Sequence, residues 1–340
     1  MLQPLTGAAA AVGQTGRQGA ELAVDQINAA GGVSGTKLKL EVLDTAGDTT
    51  TGTNAFAKLL NDNPIAVLGP NYSNVALALV PRLSRARVPM LAGALSPALT
   101  KSQSPWVFRI RSSDATAAQN LVAYAVGTLH QKSFALVSEE SDYGQAGIAA
   151  VKIALRSKGV APAAAVTFGS NVNDLSSQVL AIKKSNASAV IYWGSQKPAA
   201  LFAKQVKQFG YSGIIFGSNA YTDQSVLKLA GNDANGIYSV VNFLPTAEDP
   251  AAQKFVSDYK QRYNSAPDSY AASYFDAVNL LAAAIKSAGN QPKAVANTLK
   301  SIDYNGLASH YLYHDHGEMT GPQEITQVKN GMPVVVQKGQ

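Results

Sequence analysis

The 340-residue sequence contains no cysteine, which excludes disulfides, thiolate nucleophiles and zinc sites built on sulfur. It is also poor in charge: 15% of its residues are charged against 46% hydrophobic, a balance that excludes a disordered chain and gives a lightly charged surface. No apolar run nears the roughly 18 residues of a membrane-spanning helix, and no charged and apolar leader precedes the fold. The opening MLQPLTG reads as the end of a strand, so earlier residues and any export signal are expected to be missing. The net charge of +6 is modest, and the densest basic group, Arg82, Arg85 and Arg87, lies in one helical stretch without interleaved aromatics. No nucleic-acid partner is expected. GSNAYTD and GNDANG are glycine-rich but lack phosphate-loop spacing, and no GxGxxG follows a strand. Ser73, Ser96 and Ser138 lie outside any GxSxG elbow, so catalysis has no positive sign. His310, His314 and His316 with Asp315 resemble a metal group, but ASHYLYHDHGE alternates like a strand and lacks helical period. Neither a metal nor a cofactor is expected.

What is present is length and rhythm. A single core stops growing at about 250 to 300 residues, so two domains are expected. Thr15 and Gln18 have capping-box spacing ahead of a helix face formed by Ala20, Ala23, Val24 and Ile27, and Gly31 and Gly32 end that helix. Leu38, Leu40 and Val42 alternate with charges as in a half-exposed strand, and a helix with Phe56, Leu59 and Leu60 follows. A later helix should kink or end at Pro81, near Ser84. Strands at 89–91 and 106–110 close this half. The rhythm repeats from Asp114: a helix to about Leu129, strands SFALVS, AAVTF, AVIYW, GIIF and GIYSVV with helices between them, one of these from Pro198 to Phe209. Helices then dominate (251–263, 269–288, 291–300), and Asn330-Gly331 marks a hairpin. Alternating strands and helices imply parallel sheets covered on both faces. The surplus of late helices implies that the chain returns to cover its first half, with crossovers near 112–114, 242–245 and 321–324. A ligand would then sit between the lobes.

The stretch that organises the rest is IAVLGPNYSN, Ile65 to Asn74. Its apolar run reads as a strand buried on both faces, and Gly69-Pro70 ends it. Ser73 or Asn74 is expected to N-cap a helix beginning near Val75, leaving backbone N–H groups and a partial positive charge at the strand's carboxyl end. A carboxylate would sit there. An ordinary capped turn that binds nothing fits the same residues.

PLTG (Pro4 to Gly7), GAELAVDQINAAGG (Gly19 to Gly32), LGPNYSN (Leu68 to Asn74), VPMLAGALSPALT (Val88 to Thr100), DYGQAG (Asp142 to Gly147) and SYFDAV (Ser273 to Val278) occur in this order. In that order and spacing the sequence resembles the type I periplasmic solute-binding proteins of ABC importers, in the leucine/isoleucine/valine-binding branch, over nearly its whole length. The resemblance implies an α/β fold of two Rossmann-like lobes joined by three crossovers, with a ligand cleft between them. Residues 1–113 and 245–321 would form one lobe, and 114–244 and 322–340 the other. It further implies a non-enzymatic periplasmic receptor, expected to be a monomer, that captures a small carboxylate by hinge closure and delivers it to a membrane permease. The alternatives are a cytoplasmic amide or amino-acid sensor of the same fold, and an α/β enzyme using the cleft.

By the same resemblance Ser73, flanked by Asn71 and Tyr72, holds the ligand carboxylate with backbone groups near Ala94 and Leu95. Tyr143 is the tyrosine of the second lobe. Three positions depart from amino-acid-binding relatives. Leu95 replaces a frequent threonine, although Ser96 offers a hydroxyl. Gln196 and Lys197 stand where an aromatic follows the YWG strand. Asn219 stands where an acidic residue receives the α-ammonium. A buried ammonium without a carboxylate is left uncompensated, so Asp223 or Glu140 would have to supply the charge. Otherwise Lys197 pairs with a second acidic group of an aromatic or other amine-free carboxylate.

Overall fold

The computed structural model describes residues 1–7 and 10–338, which divide into two compact units, 1–113 with 242–321 and 114–241 with 322–340. The second crossing lies at 241/242, at the start of the 242–245 stretch where a crossover is expected. Asn242 donates to the Ser112 hydroxyl at 2.9 Å, and Phe243 stacks edge-on against Phe255 in the first unit's core.

The first unit opens with β1 (Leu2–Gln3), α1 (Ala10–Ala29), β2 (Leu43–Asp44), α2 (Thr49–Leu60) and β3 (Val67–Leu68). Next come α3 (Ser73–Ala86), β4 (Met90–Ala92), α4 (Ala98–Lys101) and β5 (Val107–Arg109). α1 starts before the expected capping box: Thr15 lies inside the helix and its hydroxyl donates to the Val12 carbonyl. The helix packs against the later helix 269–288, close enough that a Cβ on Gly19 would lie 2.0 Å from the Ala271 carbonyl oxygen. Leu38, Leu40 and Val42 pack on the core as half-buried side chains but form no strand, because β1 pairs only with Leu43 and Asp44. α3 runs through Pro81 and ends at Ala86, where Arg87 in the left-handed region donates its N–H to the Leu83 carbonyl. Buried Val75, Ala76, Leu79 and Leu83 hold it across the missing Pro81 N–H.

The second unit contains α5 (Asp114–Ala123), which passes into a five-residue π turn (Tyr124–Thr128), then β6 (Phe134–Glu139), α6 (Asp142–Ser157), β7 (Ala164–Phe168) and α7 (Ser176–Lys184). It continues with β8 (Ala189–Trp193), α8 (Gln196–Gln208), β9 (Ile214–Gly217), α9 (Gln224–Ala230) and β10 (Tyr238–Val241). Back in the first unit are α10 (Pro250–Tyr263), α11 (Ser269–Ala288), α12 (Pro292–Leu299) and the strands β11 (Asp303–Asn305), β12 (His310–His314) and β13 (Glu318–Thr320). The hairpin β14 (Glu324–Lys329) and β15 (Met332–Gln337) completes the second unit's sheet.

The larger sheets have the orders β11-β12-β13-β5-β4-β3 in the first unit and β15-β14-β10-β9-β8-β6-β7 in the second. β3, β4, β5 and β13 are parallel, as are β6 to β10, whereas β12 and β11 in the first unit and β14 and β15 in the second join antiparallel. Continuous burial of β6 and β8 is the mark of strands covered on both faces. Parallel strands that end together carry their loops to one edge, where the expected binding residues lie.

Candidate functional site

In the first unit the turn after β3 is shaped by close packing. Gly69 has a positive φ of 87°, and a Cβ there would lie 2.1 Å from the Leu2 carbonyl oxygen. α3 starts at Ser73 itself, with Tyr72 at the N-cap and no side-chain cap. The expected capping by Ser73 or Asn74 is therefore replaced: the Asn74 amide donates to the Gly47 carbonyl, and the Ser73 hydroxyl turns to the neighbouring loop. Asn71 is buried, donates to the Val12 carbonyl at 3.4 Å and accepts from the Tyr274 hydroxyl at 3.0 Å. It braces the turn.

The second loop of this half follows β4. Its N–H at Ser96 donates to the Ser73 oxygen at 3.3 Å, and Ala94, Leu95 and Ser96 are all buried. Gly93 is needed here, since a Cβ would meet the Asn71 side-chain oxygen at 2.3 Å. Arg109, wholly buried at the end of β5, fixes the loop by donating to the Ser96 carbonyl at 2.7 Å and to the Thr100 hydroxyl at 2.7 Å. Its charge is met by Glu318 at 3.0 Å. Burial pushes the Glu318 carboxyl above the usual range, and Arg109 opposes that shift. The result is a buried serine whose oxygen already accepts a hydrogen bond, which leaves its O–H to donate beside an uncapped helix N-terminus.

In the second unit Ser141 caps α6 by accepting from the Gly144 N–H, which sets Tyr143 in the first turn. The Tyr143 hydroxyl donates to the Asn219 side-chain oxygen at 3.2 Å, so two residues far apart in sequence meet. Asn219 opens a short 3-10 turn after β9. α8 begins at Gln196 rather than Pro198, so Gln196 and Lys197 form its first turn. Lys197 is exposed, and its ammonium reaches the Asn173 oxygen at 3.4 Å. The two carboxylates expected to replace a missing charge are engaged elsewhere. Asp223 accepts from the Ser225 N–H at 2.8 Å as the cap of α9, and exposed Glu140 accepts from the Thr167 hydroxyl at 2.6 Å.

Arg109, Glu318 and Glu139 were not singled out by the sequence reading. Each is a charge set in or beside an apolar strand, which is the signal that could have found them. Glu139 ends β6 and is 4% exposed, and its Oε2 accepts from the Ser195 N–H at 2.6 Å. Of the histidine group, His310 lies in β12 and shares a 2.6 Å hydrogen bond with Asp303, while His314 and His316 are exposed. The Asp315 side chain lies outside the described residues. A cavity of about 620 Å³ in the first unit, lined by Leu38, Leu40, Ile65, Ala66 and Leu281 among others, lies at the amino end of β3, away from Ser73.

A family model described as periplasmic binding protein matches residues 1–333. A Leu/Ile/Val-binding protein of Rhizobium johnstonii is 29% identical over 303 residues, covering 88% of this chain and 82% of that protein. Among solved structures, a leucine-binding protein from Thermotoga maritima superposes with a TM-score of 0.90 at 25% identity, covering 98% of this chain and 96% of that one. A putative branched-chain amino acid ABC transporter from Rhodospirillum rubrum gives 0.78 at 27% identity, with 98% of both chains covered.

Proposed function

The chain belongs to the periplasmic binding protein family, and from that premise we propose that it is the extracytoplasmic receptor of an ABC importer, of the branched-chain amino-acid-binding type. It captures a small carboxylate-bearing solute, an amino acid or an aromatic acid, and hands it unchanged to a membrane permease. The names of its Rhizobium and Thermotoga relatives support this reading. The observation that carries it is the buried Ser73 hydroxyl at the uncapped start of α3, its oxygen held by the Ser96 N–H and its proton available.

The carboxylate docks on Ser73 and the leading N–H groups of α3, which together supply donors and a partial positive charge. Tyr143, Gln196 and Asn219 of the second unit take the rest of the solute. The form in which both sets of side chains engage the solute binds it better, so the solute shifts the population toward a closed state. No covalent step is involved.

A thermal-shift screen of leucine, valine, phenylalanine, benzoate and hydroxycinnamates tests the reading. A solute at 100 times its dissociation constant adds about 2.7 kcal/mol of stability. The expected result is a raised Tm with at least one carboxylate, abolished in its alcohol analogue and without turnover. A turned-over ligand, or equal shifts by carboxylate and alcohol, would refute it.

A further inference from the structure

The first unit buries a cation that it does not neutralise. Arg111 lies two residues beyond β5 and is 2% exposed. Its guanidinium sits 4.0 Å from the centre of the Tyr270 ring, and its Nη1 donates to the Gly93 carbonyl at 3.5 Å, the outer limit of such a bond. Its Nε is buried without a hydrogen-bond partner. No aspartate or glutamate among the described residues forms an ion pair with it, whereas Arg109, two residues earlier, is met by Glu318 at 3.0 Å. A buried guanidinium with one aromatic face and one long hydrogen bond is poorly compensated for its lost hydration.

Its surroundings are the strand ends that carry the carboxylate anchor. Gln3 ends β1, Asn71 follows β3, Gly93 follows β4 and Arg111 follows β5. Asn71 accepts from the Tyr274 hydroxyl at 3.0 Å, and a Cβ on Gly93 would lie 2.7 Å from the same hydroxyl. Burial raises the Tyr274 hydroxyl above its ordinary pKa, and Gln3 and then Arg111 oppose that shift, which sets both beside this phenol. Gln3 is itself wholly buried, with neither its amide nitrogen nor its amide oxygen hydrogen-bonded. Asn71 stands two residues before Ser73, and Gly93 three before Ser96, whose N–H holds the Ser73 oxygen. The unsatisfied groups therefore adjoin the anchor, in the same unit and at the same ends of its strands.

Lys197, the cation that the sequence offers to a second acidic group, is exposed and reaches Asn173. Arg111 is buried and has no such acceptor beyond the Gly93 carbonyl. We infer that Arg111 receives a second anionic group of the solute, so that the receptor selects dicarboxylates over monocarboxylates of the same skeleton. A carboxylate fits the guanidinium edge through paired N–H donors and supplies the missing negative charge. This rests on the carboxylate-receptor reading above.

Calorimetric titration with matched pairs, glutarate with pentanoate, glutamate with norvaline and terephthalate with 4-methylbenzoate, tests it in the intact protein and in Arg111→Gln. The intact protein is expected to prefer the diacid of at least one pair by tenfold or more. Arg111→Gln should erase that preference, weakening the diacid at least tenfold and its partner less than threefold. Equal weakening of both members would assign Arg111 to holding Gly93 and Tyr270, and overturn the inference. So would a preference that survives in Arg111→Gln. An intact protein that binds monocarboxylates but prefers no diacid by tenfold overturns it as well, and leaves the receptor reading standing. If no carboxylate binds, both readings fall. Should Arg111→Gln not fold, Arg111→Met, which keeps the apolar stem, takes its place in the same comparison; if neither folds, the preference of the intact protein decides by the same tenfold criterion.

Discussion

The Ser96 N–H donates to the Ser73 hydroxyl oxygen at 3.3 Å, joining the turn after β3 to the loop after β4. A hydroxyl that accepts in this way keeps its own proton for another acceptor. Ser73→Ala removes that donor and leaves the Ser96 N–H unpaired. We expect the best carboxylate to bind about 10- to 100-fold more weakly, the range of a hydrogen bond to a charged group, with titration calorimetry as the readout.

Arg109 acts one layer behind. It is buried, and it holds the Ser96 carbonyl while pairing with Glu318. Arg109→Ala strands the Glu318 carboxylate and frees the loop, so urea unfolding should show a loss of about 3–5 kcal/mol. Replacing both partners, Arg109→Met with Glu318→Leu, should recover much of that stability but not the affinity.

Lys197 gives a contrasting expectation. Its side chain is exposed and its ammonium reaches only as far as Asn173 at 3.4 Å. Lys197→Ala should leave the affinity for monocarboxylates within about twofold, as for an exposed charge, and weaken dicarboxylates alone. Competitive titration of benzoate against terephthalate reads the difference.

Asp276 gives the protein a pH dependence outside the solute residues. It accepts from the Leu307 and Ala308 N–H groups and the Tyr311 hydroxyl, yet burial pushes it up to about 7. Its folded value lies above the unfolded one, so the folded state binds the proton more tightly. This contribution to stability is complete below about pH 4 and is lost as the pH rises to about 7, a change of up to about 4 kcal/mol. Urea midpoints between pH 4 and 7.5 should fall with this slope, and Asp276→Asn should flatten it.

The sequence made the alternation of β6 to β10 with their helices readable, because strands buried on both faces are continuous apolar runs and their helices keep a 3.6-residue period. The hairpin at Asn330-Gly331 was equally plain. The start of α1 was not, because Thr15 and Gln18 imitate a cap whose role the packing of Gly13, Gly16 and Gly19 overrides. Leu38 to Val42 has strand alternation but no strand beside it. The meeting of Tyr143 with Asn219 is a tertiary contact between residues 76 apart. Local patterning carries no sign of it, and only the resemblance to relatives put both residues in one set. The buried charges Arg109, Glu139 and Glu318 act through partners that only folding supplies.

The most direct measurement is a crystal structure with the tightest-binding carboxylate. Its oxygens should lie at about 3 Å from Ser73 Oγ and from the first N–H groups of α3, with the solute chemically intact. A carboxylate resting elsewhere, or a ligand found altered, would contradict the assignment of Ser73 as the anchor.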